Sequence, residues 1–232
     1  NVLATFIAGL HDEKRRVTIR GFYDDVVELS AAERKDLAAL PFDEKTYMQE
    51  LGVPGLMGEE SYTTNERRTI RPTLDVNGIY GGFMAEGANT IIPMRAGAKI
   101  SMRLVPNQQP AKISAAFDQT VRERIPSSVK YEIIDHGQAA AYMSPSDSPY
   151  MHAARRALAE AFGKDTVVVR EGGSLPILPM FKEKLGADCL LLGFASPSCA
   201  AHGPNEKVWL KDLDRGAESC ARLLAYLADG KS

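Results

Sequence analysis

The chain has 232 residues, 44% of them hydrophobic, enough for one large core or two modest ones. Its 28 basic and 30 acidic residues leave a formal charge of −2, which argues against nucleic acid or a membrane surface as partner. No apolar run approaches bilayer length, no signal peptide opens the chain, and Cys189, Cys199 and Cys220 form no C-x-x-C spacing, so a reducing, cytoplasmic setting is expected.

Val2, Leu3, Phe6, Ile7 and Leu10 recur at helical spacing from the first residues. A chain that opens inside a helix, without methionine, is expected to be cut from a longer one. Val17 to Arg20 reads as a short strand. Ser30-Ala31-Ala32-Glu33 is a capping box, whose hydroxyl and carboxylate reciprocally satisfy free N–H groups at the start of a helix running to about Leu40. Asp43 caps another short helix ending near Gly52, and residues 53–72, rich in Gly, Pro, Thr and charge, read as loop.

Two long extended segments follow, Thr73 to Phe83 and Thr90 to Val105. In the second, Ala98, Ile100, Met102 and Leu104 alternate with Lys99, Ser101 and Arg103, so one face packs on helices and the other meets solvent or a partner. Pro110 opens a helix through about Ile125, and Val129 to Ile134 reads as a further strand. This order implies an α+β layer, an antiparallel sheet with helices on one face. Past the Ser/Pro punctuation at 144–149, helices over 150–162, 175–185 and 210–227 alternate with apolar strands at 166–169 and 188–192. That pattern implies part of a larger α/β domain built on a buried parallel sheet.

Four places carry candidate chemistry. His202 lies in a Pro/Gly-flanked loop after an apolar run, as a metal-binding imidazole would, or as an ordinary surface residue would. Cys199, three residues earlier, makes a nucleophile–base pair with it a second option, without a third orienting group in view. Arg170-Glu171-Gly172-Gly173-Ser174-Leu175-Pro176 joins a strand to a helix. Paired glycines there admit a ligand to the backbone, and the helix start offers N–H groups to a carboxylate; an N-capped tight turn is the alternative. Arg103, on a polar strand face, presents a fork suited to a carboxylate, and Asn89 can donate to an oxygen gaining negative charge; a solvated strand face is the alternative. Glu59-Glu60 reads as a surface pair rather than a metal bridge. His11, His136 and His152 have no i,i+4 histidine partner and read as non-ligands.

Several stretches in order resemble one family: the run R-R-T-I-R-P-T-L-D-V-N-G-I-Y-G-G-F at 67–83, E-G-A-N-T-I-I-P at 86–93, A-K-I-S-M-R-L-V-P-N-Q at 98–108, R-E-G-G-S-L-P at 170–176 and A-H-G-P-N-E at 201–206. The chain resembles the di-zinc metallopeptidases that include acetylornithine deacetylase, carboxypeptidase G and carnosinase, the carnosinase-like dipeptidase branch above all. The resemblance implies an α/β protein overall. Residues 1–145 would form a two-layer α+β lid that mediates homodimerisation, and residues 146–232 the carboxy-terminal part of a zinc-exopeptidase α/β domain. It implies that His202 is a zinc ligand. Asn89 and Arg103 would be lid residues reaching the oxyanion and carboxylate ends of a peptide or N-acyl amino-acid substrate, with Gly172, Gly173 and Ser174 beside that carboxylate.

Family members also carry H-x-D-x-x-P, a bridging aspartate, a Glu-Glu pair with the general base and a further acidic ligand, all upstream of the lid and none present here. The family's mechanism sets a zinc-bound water, deprotonated by that glutamate, on an amide carbonyl. The chain alone is therefore expected to be inactive and to hold no zinc stably. The rival readings are a non-catalytic dimerisation module and a Cys199/His202 hydrolase.

Overall fold

Several helices begin where a side-chain oxygen accepts from their unpaired N–H groups. The computed structural model describes residues 1–40, 42–172, 175–196 and 199–229. After α1 (Val2–Ala8), the box at Ser30 starts α2 (Ala31–Ala38): Glu33 N donates to Ser30 Oγ at 3.2 Å and Ser30 N to Glu33 Oε2 at 3.0 Å. Asp43 Oδ1 accepts from Thr46 N at 2.7 Å to start α3 (Glu44–Leu51), and Gly52, at φ 66°, ends it in the left-handed conformation that glycine adopts most readily. A second box, Thr63 with Glu66, starts a helix inside the stretch expected to be loop, α4 (Thr64–Thr69).

β1 (Thr73–Gly81) and β2 (Ala96–Arg103) pair antiparallel, Thr73 opposite Arg103 and Gly81 opposite Ala96, with a register shift between Val76 and Gly78. β2 starts later than the sequence pattern suggests. Pro93 lacks the N–H a ladder requires, and pairing begins only beyond it. The inward residues Leu74, Ile100 and Met102 pack with Phe6, Leu10, Ile19, Phe22, Ile113 and Val121. These come from α1, the turn after it and α5 (Pro110–Arg124), which covers the same face. Leu10 and Phe22, 0% and 1% exposed, each contribute roughly 1.5–3 kcal/mol by burial.

Residues 11–17 make only a single bridge, His11 to Val17, around a turn in which Asp12 N donates to Arg16 O at 2.9 Å. The strand expected at 17–20 is thus one arm of a hairpin too short to extend. Arg124, at the far end of α5, donates to Gly9 O at 2.6 Å and Thr18 O at 2.9 Å and closes that hairpin against α1. Gln108 joins β2 to α5: its Oε1 accepts from Val105 N at 2.8 Å and its Nε2 donates to Phe22 O at 2.6 Å. It is 3% exposed, so Gln108→Leu would orphan two buried backbone groups at about 1–3 kcal/mol each. Urea unfolding should show the midpoint drop; an unmoved midpoint means the turn does not depend on the amide.

Glu59 corrects the expectation of a surface pair, for it is 7% exposed. Arg71 donates to both its oxygens at 2.8 Å and to Glu28 at 3.0 Å, and Arg16 stands 3.0 Å from the same carboxylate. The Arg71 guanidinium also lies over the rings of Tyr62 and Tyr23, at 4.1 and 5.2 Å. Burial opposes the charge on Arg71, but the bonds and charge of Glu59 more than offset it and hold its pKa above the usual value. Among the described residues Glu66 is the other buried acid. Its Oε2 accepts from Thr63 N, while Arg34 lies 2.8 Å from Oε1 off the hydrogen-bond axis, so that oxygen is balanced by charge alone.

Chain contacts divide the molecule into one unit of residues 1–142 and 170–179, and a second of residues 143–169 and 180–232. In the second unit α6 (Pro149–Phe162) packs on α8 (Leu210–Ala228), with Ala153, Ala154 and Ala157 buried on the first helix and Gly216 and Ser219 on the second. A Cβ on Gly216 would meet the Phe194 ring at 3.0 Å. Glu160 on α6 ties to Arg222 at 2.8 Å and to Tyr226. α7 (Ile177–Leu185) is divided between the units.

The strands expected at 129–134, 166–169 and 188–192 do not form, nor does the parallel sheet. A strand exists only with a ladder partner, and among the described residues these segments have none. The chain's mixed helix and sheet character stands, with its antiparallel sheet limited to β1 and β2.

Candidate functional site

Arg103 ends β2 on the outward, polar face, opposite Thr73 and exposed. Among the described residues no carboxylate lies within ion-pair distance of it. Alternation put it there: Met102 turns into the core, so its neighbour must turn out. Gly172 belongs to the same unit and meets Arg103 directly. A Cβ built on Gly172 would lie 3.0 Å from Arg103 Nη1 and only 2.0 Å from the main-chain oxygen of Arg68. The Cβ side of Gly172 is thus filled by the Arg68 carbonyl, in the last turn of α4, and by the Arg103 guanidinium, leaving no room for a side chain.

Arg170 makes an ion pair with Glu33, the carboxylate of the box that starts α2. Glu33 thereby serves two partners, one on each oxygen. Its carboxyl is held below the usual range, first by the Ser30 backbone N–H, then by the Ser30 hydroxyl, with Arg170 adding to the effect. Arg68 lies 5.5 Å from the Phe42 ring and 5.2 Å from that of Tyr47, which anchors the α4 turn whose carbonyl faces Gly172.

The other expected residues lie elsewhere. Asn89 is exposed in the loop between β1 and β2. Gly173 and Ser174 fall outside the described residues. His202 is exposed in the second unit, in a turn closed by Gly203 N to Ala200 O at 2.8 Å and Lys207 N to Cys199 O at 2.9 Å. Ala200, His202 and Asn205 all take positive φ, 54°, 63° and 61°, a concentration of strained backbone that side-chain-bearing residues seldom accept.

Cys199 is half-buried, and among the described residues no hydrogen bond joins it to His202. Among the described residues no three His, Cys, Asp or Glu side chains converge there either. Zinc sites use three or four protein donors, so His202 alone does not hold the ion and could serve only as one donor of a larger set. No helix among the described residues is long and apolar enough to cross a membrane.

Arg170, Glu33 and the Arg68 carbonyl are the site features that sequence reasoning missed. The Ser-x-x-Glu spacing did single out Glu33, but as a helix cap. Its second partner lies 137 residues away, beyond any local pattern.

The chain is also similar to known proteins. A family model described as the peptidase dimerisation domain matches residues 1–129. The chain is 26% identical over 232 residues to the Cys-Gly metallodipeptidase DUG1 of Saccharomyces cerevisiae, covering 98% of this chain and 48% of that protein. It is 27% identical over 213 residues to the human Beta-Ala-His dipeptidase, covering 89% and 41%. Among solved structures it superposes on the M20 family metallo-carboxypeptidase Sso-CP2 of Sulfolobus solfataricus with TM-score 0.84 and 30% identity, over 96% of this chain and 51% of the other. The chain spans about half the length of the curated relatives it matches.

Proposed function

Because the chain belongs to the peptidase dimerisation-domain family, we propose that it is part of a zinc-dependent metallopeptidase that hydrolyses dipeptide or N-acyl amino-acid amide bonds. Residues 1–145 are the lid through which two copies pair, and residues 146–232 the carboxy-terminal segment of the catalytic domain. The observation that carries this reading is Arg103: an exposed guanidinium without a carboxylate partner among the described residues, set against a backbone that has no side chain at Gly172. That arrangement accepts a free substrate carboxylate, with a charge-assisted fork on one side and close approach on the other. The names of the similar proteins, a Cys-Gly and a Beta-Ala-His dipeptidase, support a substrate ending in such a carboxylate.

In this reading Arg103 and Gly172 hold the carboxylate end, a role that the family resemblance also gives to Gly173 and Ser174. Asn89 donates to the amide oxygen as it gains charge, and His202 contributes one imidazole to the metal. Zinc, when bound, would polarise the amide carbonyl and supply an activated water. The remaining donors and the general base lie outside these residues, so this segment alone is inactive.

The test has two parts. Elemental analysis of the purified segment should find well below one zinc per chain, since one imidazole does not replace the ion's hydration shell. Adding the remainder of the enzyme should yield chelator-sensitive dipeptidase activity, in which Arg103→Ala raises KM at least tenfold, as loss of a charge-assisted bond would. Turnover by the segment alone, resistant to chelator and blocked by thiol alkylation, would instead establish the Cys199/His202 hydrolase. A non-catalytic dimerisation module, favoured by the match over 1–129, predicts dimers and no restored activity.

A further inference from the structure

Resting on the proposed function, we infer that Glu33 and Arg170 are a positioning pair: their contact fixes the segment 170–172 on the first unit and sets Gly172 against Arg103. Three observations converge. First, the Glu33 carboxylate does not swing freely, because its Oε2 accepts from Ser30 N at 3.0 Å and Ser30 Oγ at 2.9 Å. Its Oε1 is thereby presented in one direction, and Arg170 takes it. The helix cap orients the acid, and the acid orients the arginine.

Second, the geometry two residues on has no slack. At Gly172 a Cβ would fall 2.0 Å from the Arg68 carbonyl oxygen and 3.0 Å from Arg103 Nη1, so a small shift of this backbone changes what the guanidinium faces. Third, the pair is half-exposed, 32% for the Arg170 side chain and 43% for Glu33. Pairs of that kind hold little stability against solvent. Its consequence is therefore one of position, carried to Gly172, and its loss leaves the unit folded.

The experiment uses the full-length enzyme that carries this segment. Glu33→Gln keeps the cap, since glutamine also serves in a capping box, and removes the charge facing Arg170. Arg170→Gln removes the other half, and Arg170→Lys is the conservative variant. Hydrogen exchange at the Gly172 amide reads position without any turnover, and KM against kcat for a dipeptide with a free carboxylate reads its effect.

The expected result for both glutamine variants is about tenfold faster exchange at Gly172 and about tenfold higher KM, with kcat within about twofold and an unmoved melting temperature. Arg170→Lys should restore part of both, and the double variant should be no worse than either single, as coupled residues require. Unchanged exchange in both glutamine variants of an active enzyme overturns the pair and leaves the function standing. Faster exchange in an enzyme without dipeptidase activity in any form, wild type included, keeps the pair and overturns the function. A lowered melting temperature with KM unchanged shows a merely structural contact and overturns the pair as well.

Discussion

Arg71→Met is expected to destabilise the first unit by roughly 3–5 kcal/mol, because it leaves the Glu59 carboxylate buried without its main partner. Arg71 and Glu59 have side chains only 3% and 6% exposed, joined through both carboxylate oxygens at 2.8 Å. What remains near Glu59 is Arg16, a single contact at 3.0 Å from a side chain 42% exposed, too weakly held to replace a buried fork. The same substitution strips the cation from over Tyr62 and frees Glu28, so the stretch between α3 and β1 loses its central tie. Urea or thermal unfolding measures the loss, which for a unit of this size should be a drop of roughly 10 °C. The companion variant Arg71→Met with Glu59→Met removes both charges and should recover most of it, as exchanging a buried ion pair for apolar residues often does. A single variant that loses under about 1 kcal/mol, or a double variant no better than the single, shows that water reaches Glu59.

Gly172→Ala carries the second large effect, and it falls on the site. A methyl group 2.0 Å from a main-chain oxygen is far inside contact distance, and the obstacle is the carbonyl of Arg68 at the end of α4, not the flexible tip of a side chain. α4 cannot yield, since its capping box and the buried Glu66 fix it. The segment 170–172 must therefore move away, and Arg103 then faces solvent. Under the proposed function, kcat/KM of the full-length enzyme should fall about 10²-fold, the scale of a displacement near 1 Å at a positioned substrate. Unfolding of the first unit should change far less. An alanine variant with full activity would falsify the close approach.

The parts legible in the sequence are those governed by neighbours a few residues apart. Ser30 and Asp43 announce their helices because a cap needs only its own first turn, and Gly52 ends the second of these in the left-handed conformation. Alternation from Ala98 to Arg103 settled which residues of β2 turn outward, Arg103 among them. The helix α4 carried the same signal, Thr63-x-x-Glu66, inside a stretch whose composition reads as loop; the spacing outweighs the composition.

What the chain does not display locally is pairing at long range. Apolar runs at 129–134, 166–169 and 188–192 have strand composition, but composition cannot supply a ladder partner. Glu59 looked like surface because its neutralising partner Arg71 lies 12 residues on, across a helix and a turn. The candidate site divides the same way. Arg103 follows from alternation, whereas its apposition to Gly172 and the Glu33–Arg170 contact, 137 residues apart in sequence, belong to the tertiary structure.

Arg124 has a consequence for the order of events during synthesis. It clasps Gly9 across 115 residues and Thr18 across 106. As the chain emerges from the ribosome, the opening helix and its hairpin wait for most of the first unit before their fastening arrives. Distant closures of this kind slow assembly and leave apolar surface open meanwhile. Phe6, Leu10 and Phe22 are then apolar side chains left open to a holding chaperone until Arg124 arrives.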